Sequence, residues 1–169
     1  MKRCNGCISK DSHLLDSGYE VDVNNLTEAV INTPGIEGIT ISGGEPYLQS
    51  EALVDLLNRI KSKKDLGVIL YTGNDFKEIE KNELTNLCDI IIDGTYIESL
   101  NDGLSLRGSS NQNICLITKR YTNEVKNIYC VQGRKIELHF MDGKTTMVGI
   151  PDKKSLVALS KERSRKNEW

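Results

Sequence analysis

The chain has 169 residues and a formal net charge of −2; 38% of its residues are hydrophobic and 27% are charged. This length is enough for one domain with a hydrophobic core, and the composition is that of soluble globular proteins. Its apolar runs are far shorter than the roughly 18 residues of a membrane-spanning helix, and no apolar segment follows the basic N-terminal residues. We therefore expect a cytoplasmic protein with no signal peptide and no membrane partner, and we expect no direct contact with nucleic acid.

The first predicted helix follows an N-terminal loop that contains two cysteines. Asn25 is placed as an N-cap, and Glu28 lies three residues later, as in a capping box. Pro34 and Gly35 are expected to end this helix. Residues 38–42 form a short β-branched run, which is typical of a buried strand.

A second helix is predicted after this strand, with Ser50 as its N-cap. Its apolar residues recur with helical spacing and define one face: Leu53, Leu56, Leu57 and Ile60. Three lysines follow at the expected C-terminus, where the helix dipole favours cations: Lys61, Lys63 and Lys64.

The order of strand and helix then repeats. Residues 67–71 are predicted to form a strand, and Asp75 and Glu78 form a capping box for a helix that should run to about Leu87. Residues 88–93, which are apolar in the middle, are predicted to form the next strand. Strands that alternate with helices in this way are typical of a parallel sheet built by right-handed crossovers.

The C-terminal part of the sequence follows a different pattern. Residues 113–118 are a candidate for a fourth strand of the sheet. Apolar and polar residues then alternate over 136–140, and Asp142-Gly143 offers a two-residue turn into residues 145–150, which together predict a β-hairpin. From Asp152 onward we expect a basic helix that frays into a tail.

Ligands of open parallel sheets collect at the carboxyl ends of the strands. Three glycine-containing segments follow predicted strands and should share this rim: residues 42–46, 72–75 and 93–94. Residues 107–112 precede the fourth strand candidate, so their place on the rim stays open. Gly43 and Gly44 allow the backbone to approach a ligand, and the Glu45 carboxylate can accept hydrogen bonds from an ammonium group. An ordinary glycine-rich turn is the alternative interpretation.

Cys4 and Cys7 form a close pair, which soft thiolate chemistry makes a candidate for metal ligation in a reducing compartment. The other cysteines are scattered: Cys88, Cys115 and Cys130. A zinc site would need two further ligands, but the histidines, His13 and His139, stand apart. A thioredoxin-like pair would directly follow a strand, and none is predicted there. Iron–sulfur ligation is the remaining interpretation.

Several segments together carry a family resemblance. They are Cys4-Asn5-Gly6-Cys7, Gly43-Gly44-Glu45-Pro46, Tyr71-Thr72-Gly73 and Arg107-Gly108-Ser109-Ser110-Asn111-Gln112. In this order and spacing they resemble the activating enzymes of anaerobic ribonucleotide reductase, which belong to the radical S-adenosylmethionine superfamily. The resemblance covers roughly residues 1–118, and the tail after Lys119 is similar only to the longer relatives of these activases.

The N-terminal loop departs from the family pattern. The family's cluster loop is C-x3-C-x2-C, and here Met1-Lys2-Arg3 fill the intervening positions, so the first cysteine would lie directly before Met1. We expect that this cysteine and the strand leading into the loop are missing through a late start-codon assignment or a truncation. Their loss would expose a sheet edge and destabilise the chain.

The resemblance implies a [4Fe–4S] cluster held by cysteine thiolates, with one iron left for S-adenosylmethionine. In the family, an electron from the reduced cluster breaks a carbon–sulfur bond of this cofactor, and the 5′-deoxyadenosyl radical takes a hydrogen atom from a glycine of a partner enzyme. The implied partners are a glycyl radical enzyme, with anaerobic ribonucleotide reductase favoured, and a flavodoxin- or ferredoxin-type reductant.

Carried over by position, the metal ligands would be Cys4 and Cys7, and Glu45 with its two glycines would hold the methionyl ammonium group. The residues expected against the cofactor are Gly6, Cys7, Ile8, Gly43, Gly44, Glu45, Thr72, Gly73, Ser109 and Asn111. No side chain is assigned as catalytic, because the cluster and the cofactor carry the chemistry. Asp93 lies at the same rim, where capping is an equally good explanation for it. Cys88 and Cys115 fall in apolar segments, where cysteine behaves as a small hydrophobe.

The predicted fold is therefore an α/β incomplete (β/α) barrel, an open parallel sheet with helices outside, plus a C-terminal β-hairpin extension. We assign residues 1–118 to the radical S-adenosylmethionine core and residues 119–169 to the hairpin and basic tail. Two alternatives to the reductase activase stay open: the same radical chemistry on another glycyl radical enzyme or a peptide, and a catalytically inactive relative that binds a partner. A zinc-binding structural module is a third.

Overall fold

A computed structural model describes Cys4, residues 18–129, Gly133, and residues 135–141 and 144–149. These residues form a four-stranded sheet with helices and a separate two-stranded antiparallel hairpin. The predicted α/β class with parallel strands and a C-terminal hairpin is confirmed, whereas closure toward a barrel stays a prediction. No helix in this described part of the chain is long and apolar enough to cross a membrane.

Helices and strands alternate in the first half of the chain. The elements are α1 (Val23–Asn32), β1 (Gly38–Ile41), α2 (Ser50–Lys63), β2 (Gly67–Tyr71), α3 (Phe76–Ile79), α4 (Glu83–Asn86) and β3 (Ile90–Asp93), with a 3-10 turn at Pro46–Gln49. The second half holds a 3-10 turn at Glu98–Leu100, β4 (Asn113–Leu116), α5 (Thr122–Glu124), a π-helical turn at Val125–Tyr129, and the hairpin strands β5 (Glu137–Met141) and β6 (Lys144–Val148).

Helix α1 begins earlier than predicted. Asp22 is the N-cap, and its carboxylate accepts from the backbone N–H groups of Asn24 at 2.9 Å and Asn25 at 3.1 Å. The prediction that Asn25 opens the helix is wrong, because a carboxylate placed earlier satisfies two of the amides that the first turn leaves unpaired. The helix ends at Asn32, before Pro34, as predicted.

The start of α2 also differs from the prediction. Ser50 is the first residue of the helix and not its N-cap, because the 3-10 turn Pro46–Gln49 leads into it without a break. Glu45 is the N-cap of this 3-10 turn, and its side chain accepts a hydrogen bond from the Tyr47 N–H. The predicted apolar face is confirmed by the burial of Leu56, Leu57 and Ile60.

The predicted helix from Asp75 to about Leu87 is interrupted. The capping box at its start is confirmed, with the Asp75 N–H donating to Glu78 at 3.0 Å. Helix α3 nevertheless ends at Ile79, and Asn82 caps a second helix, α4, by accepting from the Leu84 N–H at 2.9 Å. An asparagine that caps the following backbone competes with continuation of the helix, which explains the break.

The sheet has the order β1-β2-β3-β4, and β1, β2 and β3 are parallel. Strand β4 is antiparallel to β3, with Asn113 opposite Asp93. This corrects the expectation of a purely parallel sheet: the connection between β3 and β4 contains only the short turn Glu98–Leu100, so no crossover helix returns the chain to the other end of the sheet. Within the described residues, β1 is the other edge of the sheet.

One face of the sheet packs against the helices. Its core consists of Leu57 from α2, Val68 and Leu70 from β2, Leu84 from α4 and Ile91 from β3, each with at most 1% of its surface exposed. Full burial of a side chain of this size contributes about 1.5–3 kcal/mol relative to exposure. The helical face is therefore the main source of hydrophobic stabilisation.

The opposite face, which we call the inner face, is covered by residues that follow β4. Buried Ile90 and Ile92 of β3 pack with Tyr121 and Val125, and Leu106 also contacts this cluster. Tyr121 and Val125 belong to the predicted C-terminal unit, yet they pack on the sheet of the predicted core. The boundary at residue 118 stays a prediction.

The hairpin is formed as predicted, with Glu137 opposite Val148 and Met141 opposite Lys144. Its predicted turn, Asp142-Gly143, lies outside the described residues, as does the predicted basic helix from Asp152. His139 is exposed, and its Nε2 lies 3.4 Å from Glu137 Oε2.

Two glycines on neighbouring strands make room for the Tyr121 ring. Gly38 and Gly67 are paired in register at the amino ends of β1 and β2. A Cβ atom at Gly67 would lie 2.6 Å from Tyr121 Cζ, and one at Gly38 would lie 3.2 Å from Tyr121 Oη. Gly67 therefore needs to be glycine because of the Tyr121 ring, whereas at Gly38 the Gly67 carbonyl oxygen, 2.6 Å from an added Cβ atom, is closer than the ring.

We predict that Gly67→Ala lowers the free energy of unfolding by about 1–3 kcal/mol, because the added methyl group overpacks the Tyr121 ring. In a Tyr121→Ala background the same substitution should cost much less, since the clashing ring is gone. Gly133→Ala is the control, because a Cβ atom there meets nothing within 4 Å. Urea denaturation measures all variants, and additive losses in the double variant would contradict the packing account.

Candidate functional site

The distinctive segments of the sequence meet at one rim of the sheet. Residues 42–46, 72–75 and 93–94 follow the carboxyl ends of β1, β2 and β3, as predicted. Residues 107–112 join them because β4 is antiparallel: its first residue, Asn113, pairs with Asp93 at the end of β3. We refer to these segments together as the carboxyl rim.

Glu45 is a buried side chain of the carboxyl rim, with 8% of its surface exposed. Its Oε1 accepts from the Thr72 hydroxyl at 2.7 Å and from the Tyr47 N–H at 3.3 Å. Its Oε2 accepts from the Gly73 N–H at 2.9 Å. These bonds join the end of β1 to the end of β2 through a single carboxylate.

Gly43 and Gly44 precede this carboxylate in left-handed backbone conformations, with φ values of +83° and +48°. A Cβ atom at Gly43 would meet nothing within 4 Å, so the backbone conformation and not crowding requires glycine there. Both residues are exposed beside a buried carboxylate. The loop thus places an uncrowded glycine, Gly43, close to a negative charge.

The end of β2 is in turn tied to the loop after β3. The Thr95 hydroxyl donates to the Gly73 carbonyl at 3.2 Å, and the Gly94 N–H donates to the Asn74 carbonyl at 2.9 Å. The Thr72 hydroxyl, which donates to Glu45, also accepts a hydrogen bond from the Asn74 N–H at 3.1 Å. The turn after β2 is therefore fixed from both sides.

The predicted site residues Ser109 and Asn111 hold the loop after β3 in place. The Ser109 hydroxyl donates to Asn111 Oδ1 at 2.7 Å and accepts from the Ile97 N–H at 3.1 Å. Asn111 Nδ2 donates to the Thr95 carbonyl at 2.8 Å, and Gln112 Nε2 donates to the Gly94 carbonyl at 2.8 Å. These bonds are internal to the rim, and contact of Ser109 or Asn111 with a cofactor stays a prediction.

Arg107, which begins this motif, is held by an ion pair. Its guanidinium donates to Asp102 Oδ2 at 2.7 Å and 3.1 Å. Leu106 before it has a φ of +68°, an uncommon conformation for a leucine, and its side chain packs on the inner face. The loop is thereby anchored on the sheet as well as on the rim.

Asp93 has the capping role that the sequence left open. Its Oδ2 accepts from the Phe76 N–H at 2.8 Å, at the first residue of α3. Its Oδ1 accepts from the Asn113 N–H at 3.1 Å and from Asn113 Nδ2 at 2.8 Å. Asp93 is buried, with 3% of its surface exposed. Its hydrogen bonds connect the end of β3 to the start of α3 and to the start of β4.

Glu45 can accept a further hydrogen bond, and a cationic donor such as an ammonium group would suit it. A carboxylate offers about four acceptor positions, and the hydrogen bonds from Tyr47, Thr72 and Gly73 use three of them. Within the described residues, no cationic side chain pairs with Glu45. A buried carboxylate without a cation favours a positively charged ligand.

The cysteine loop lies almost entirely outside the described residues. Cys4 is described and is half-buried, whereas the other predicted residues of the loop, Gly6, Cys7 and Ile8, are not described. Within the described part of the chain, no three His, Cys, Asp or Glu side chains are grouped as metal ligands. Ligation by Cys4 and Cys7 therefore stays a prediction.

Cys88 is a core thiol. It has 1% of its surface exposed and donates to the Leu84 carbonyl at 3.2 Å. Burial raises the pKa of Cys88 to about 12. Burial, followed by the nearby Asp93 carboxylate, also raises the pKa of Cys115. Both thiols resist conversion to the thiolate that binds iron, in agreement with the sequence prediction that they are small hydrophobes.

Three residues that were not among the predicted site residues also hold the rim together: Tyr47 through its backbone N–H, and Thr95 and Gln112 through their side chains. Tyr47 directly follows the Gly43-Gly44-Glu45-Pro46 segment, and Gln112 ends the other polar motif. For these two residues, their position beside or within a motif was the signal in the sequence that could have identified them. Only the fold shows that Thr95 reaches the end of β2.

We predict that Cys88 reacts with iodoacetamide at pH 8 at least about 100-fold more slowly in the native chain than in the urea-unfolded chain. The raised pKa leaves little thiolate at this pH, and burial blocks access. Residue-resolved mass spectrometry of timed reactions measures both rates. Equal rates in native and unfolded chain would show that Cys88 is not a core thiol.

Comparisons with known proteins agree with this geometry. The sequence signature of the 4Fe-4S single cluster domain matches residues 1–115. The anaerobic ribonucleoside-triphosphate reductase-activating protein of Salmonella typhi is 33% identical over 121 residues, which cover 64% of this chain and 77% of that protein. No solved structure gives a significant match. The chain therefore belongs to the radical S-adenosylmethionine activase-like family that contains the 4Fe-4S single cluster domain.

Proposed function

We propose that this chain is a radical S-adenosylmethionine activase that generates a glycyl radical on a partner enzyme, with an anaerobic ribonucleoside-triphosphate reductase as the favoured partner. The observation that carries the proposal is the buried Glu45 carboxylate, which lies beside the exposed Gly43-Gly44 backbone and has an acceptor position to spare. The name of the Salmonella typhi relative supports the choice of partner.

The chain's own residues would bind and orient the cofactor. Glu45 would accept from the methionyl ammonium group, and Gly43 and Gly44 would let the cofactor approach the backbone. Thr72 and Gly73 would keep the carboxylate turned toward that group, because each already donates to it. Ser109 and Asn111 would keep the loop after β3 in place at the edge of the cofactor.

Cys4 and Cys7 would supply thiolates to a [4Fe–4S] cluster, and Gly6 and Ile8 would lie beside the cofactor. When bound, the cluster and S-adenosylmethionine supply the one-electron chemistry that takes a hydrogen atom from a glycine. A flavodoxin- or ferredoxin-type protein would deliver the electron. This chemistry is compatible with a cytoplasmic location.

The proposed architecture is an incomplete (β/α) barrel in which residues 1–118 carry the cofactors. The hairpin and basic tail of residues 119–169 would then serve the choice of partner. Two related functions compete with the proposal: the same chemistry on another glycyl radical enzyme or peptide, and binding of a partner without catalysis.

We predict that the chain forms 5′-deoxyadenosine once its cluster loop holds three cysteines. The chain and a variant with one cysteine added before Met1, which completes C-x3-C-x2-C, are each reconstituted anaerobically with iron and sulfide. Both then receive S-adenosylmethionine and dithionite, and 5′-deoxyadenosine is quantified by chromatography. We expect formation by the extended variant at a rate at least tenfold above that of the chain without the added cysteine, an order-of-magnitude expectation from loss of one ligand.

Matched cysteine variants test the assignment of ligands. In the extended variant, Cys4→Ser and Cys7→Ser should abolish the cluster absorbance and product formation. Cys115→Ser should retain both, because Cys115 lies in β4 and burial raises the pKa of its thiol, which disfavours the thiolate that binds iron. If the extended variant binds no cluster and cleaves no S-adenosylmethionine, the activase proposal fails and the partner-binding function takes its place.

A further inference from the structure

Tyr47 connects the glycine-rich loop to the helical layer. It follows Pro46 in the 3-10 turn, and its half-buried ring packs against the core on the helical face of the sheet. Its hydroxyl lies 2.7 Å from Thr85 Oγ1 in α4. Tyr47 is the residue through which the loop after β1 touches the break between α3 and α4.

The direction of this hydrogen bond follows from the other bond of Thr85. The Thr85 hydroxyl donates its one proton to the Ile79 carbonyl at 2.7 Å. It can therefore only accept from Tyr47, whose hydroxyl is the donor. Burial raises the pKa of Tyr47 to about 12, so this donor stays protonated over the physiological range.

The same tyrosine also contacts Glu45. Its backbone N–H donates to Glu45 Oε1 at 3.3 Å, while Thr72 and Gly73 hold the carboxylate from the side of β2. A hydrogen-bond chain thus runs from the Ile79 carbonyl through Thr85 to the Tyr47 ring, and the Tyr47 backbone continues it to Glu45. The end of α3 and the cofactor-binding carboxylate are linked by one residue.

We infer that Tyr47 is a positioning residue for the proposed activase reaction: its bond to Thr85 fixes the turn after Glu45, and thereby sets the affinity of the carboxylate for the ammonium group of S-adenosylmethionine. Tyr47 does not touch the cofactor in this role. The inference rests on the proposed function, because it assigns the ligand of Glu45.

The restraint matters because Gly43, two residues before Glu45, is exposed and, as a glycine, has access to more backbone conformations than other residues. The 3-10 turn Pro46–Gln49 follows Glu45 directly, and Glu45 is the N-cap of this turn. A small rotation of this turn would move the carboxylate out of line with its ligand, and loss of alignment is costly for a charge-assisted hydrogen bond.

The test uses the iron–sulfur-reconstituted chain with the added N-terminal cysteine, and S-adenosylmethionine itself as the probe. Equilibrium dialysis gives its Kd, and thermal unfolding gives Tm for each variant. Tyr47→Phe removes only the Tyr47 hydroxyl. Thr85→Val removes the oxygen that accepts from this hydroxyl and keeps a β-branched side chain of similar shape. We expect each to raise Kd by about 3- to 10-fold, the range for one lost hydrogen bond.

Two comparisons separate positioning from plain stability. The double variant should bind no more weakly than Thr85→Val alone, because Thr85→Val already removes the bond to Tyr47 together with the bond to the Ile79 carbonyl. Thr85→Ser keeps the hydroxyl and should restore the affinity that Thr85→Val loses, even where its Tm is lower. Tyr19→Phe is the matched control, since Tyr19 has 91% of its surface exposed and should leave both Kd and Tm unchanged.

The outcomes distinguish this inference from the proposed function. The parent chain is the reconstituted chain with the added cysteine. If it binds S-adenosylmethionine, and the Tyr47→Phe and Thr85→Val variants have a lower Tm but the same Kd for this cofactor, the positioning role is wrong and the proposed function stands. If the parent chain does not bind the cofactor at all, both are wrong. If Kd is raised in Tyr47→Phe and Thr85→Val but equals the parent value in Thr85→Ser, both the positioning role and the proposed function are supported.

Discussion

The arrangement of the site depends on one buried carboxylate, Glu45. Taking an ionised group out of water costs several kcal/mol unless the protein supplies hydrogen bonds or a counter-charge. Here the bonds come from Thr72 and Gly73 at the end of the neighbouring strand and from Tyr47 in the following turn. Because Glu45 must collect these donors, the ends of β1 and β2 are held in a fixed relation, and the acceptor position that remains suits a cation.

The carboxyl rim extends this principle across the sheet. The Gly73 carbonyl accepts from Thr95, and the Thr95 carbonyl accepts from Asn111, so each loop is bonded to the next. The reversal of β4 makes the last of these contacts available, since it starts beside Asp93. Motifs that are far apart in sequence thus become one surface, as expected of a family whose protein component positions cofactors that carry the chemistry.

Much of this arrangement could be predicted from the sequence, because local patterns encode it. Strands β1, β2 and β3 and the rim at their ends follow from apolar runs that finish in glycine. The interrupted helix after Asp75 was not predicted, because the capping box of Asp75 and Glu78 marks only the start of a helix, whereas Asn82 caps a second helix. The antiparallel direction of β4 was not predicted either, because it depends on the path of the chain between β3 and β4. The role of Tyr121 against Gly38 and Gly67 required the register of two strands.

The central claim is that the carboxyl rim is the binding surface for S-adenosylmethionine. Hydrogen–deuterium exchange of the reconstituted chain with the added N-terminal cysteine, with and without S-adenosylmethionine, tests it most directly. The account predicts slower exchange in peptides that contain Gly43-Gly44-Glu45 and Thr72-Gly73, together with the cysteine loop, and unchanged exchange in β5 and β6. Protection confined to the hairpin, or none at the rim while the cofactor is bound, would contradict it.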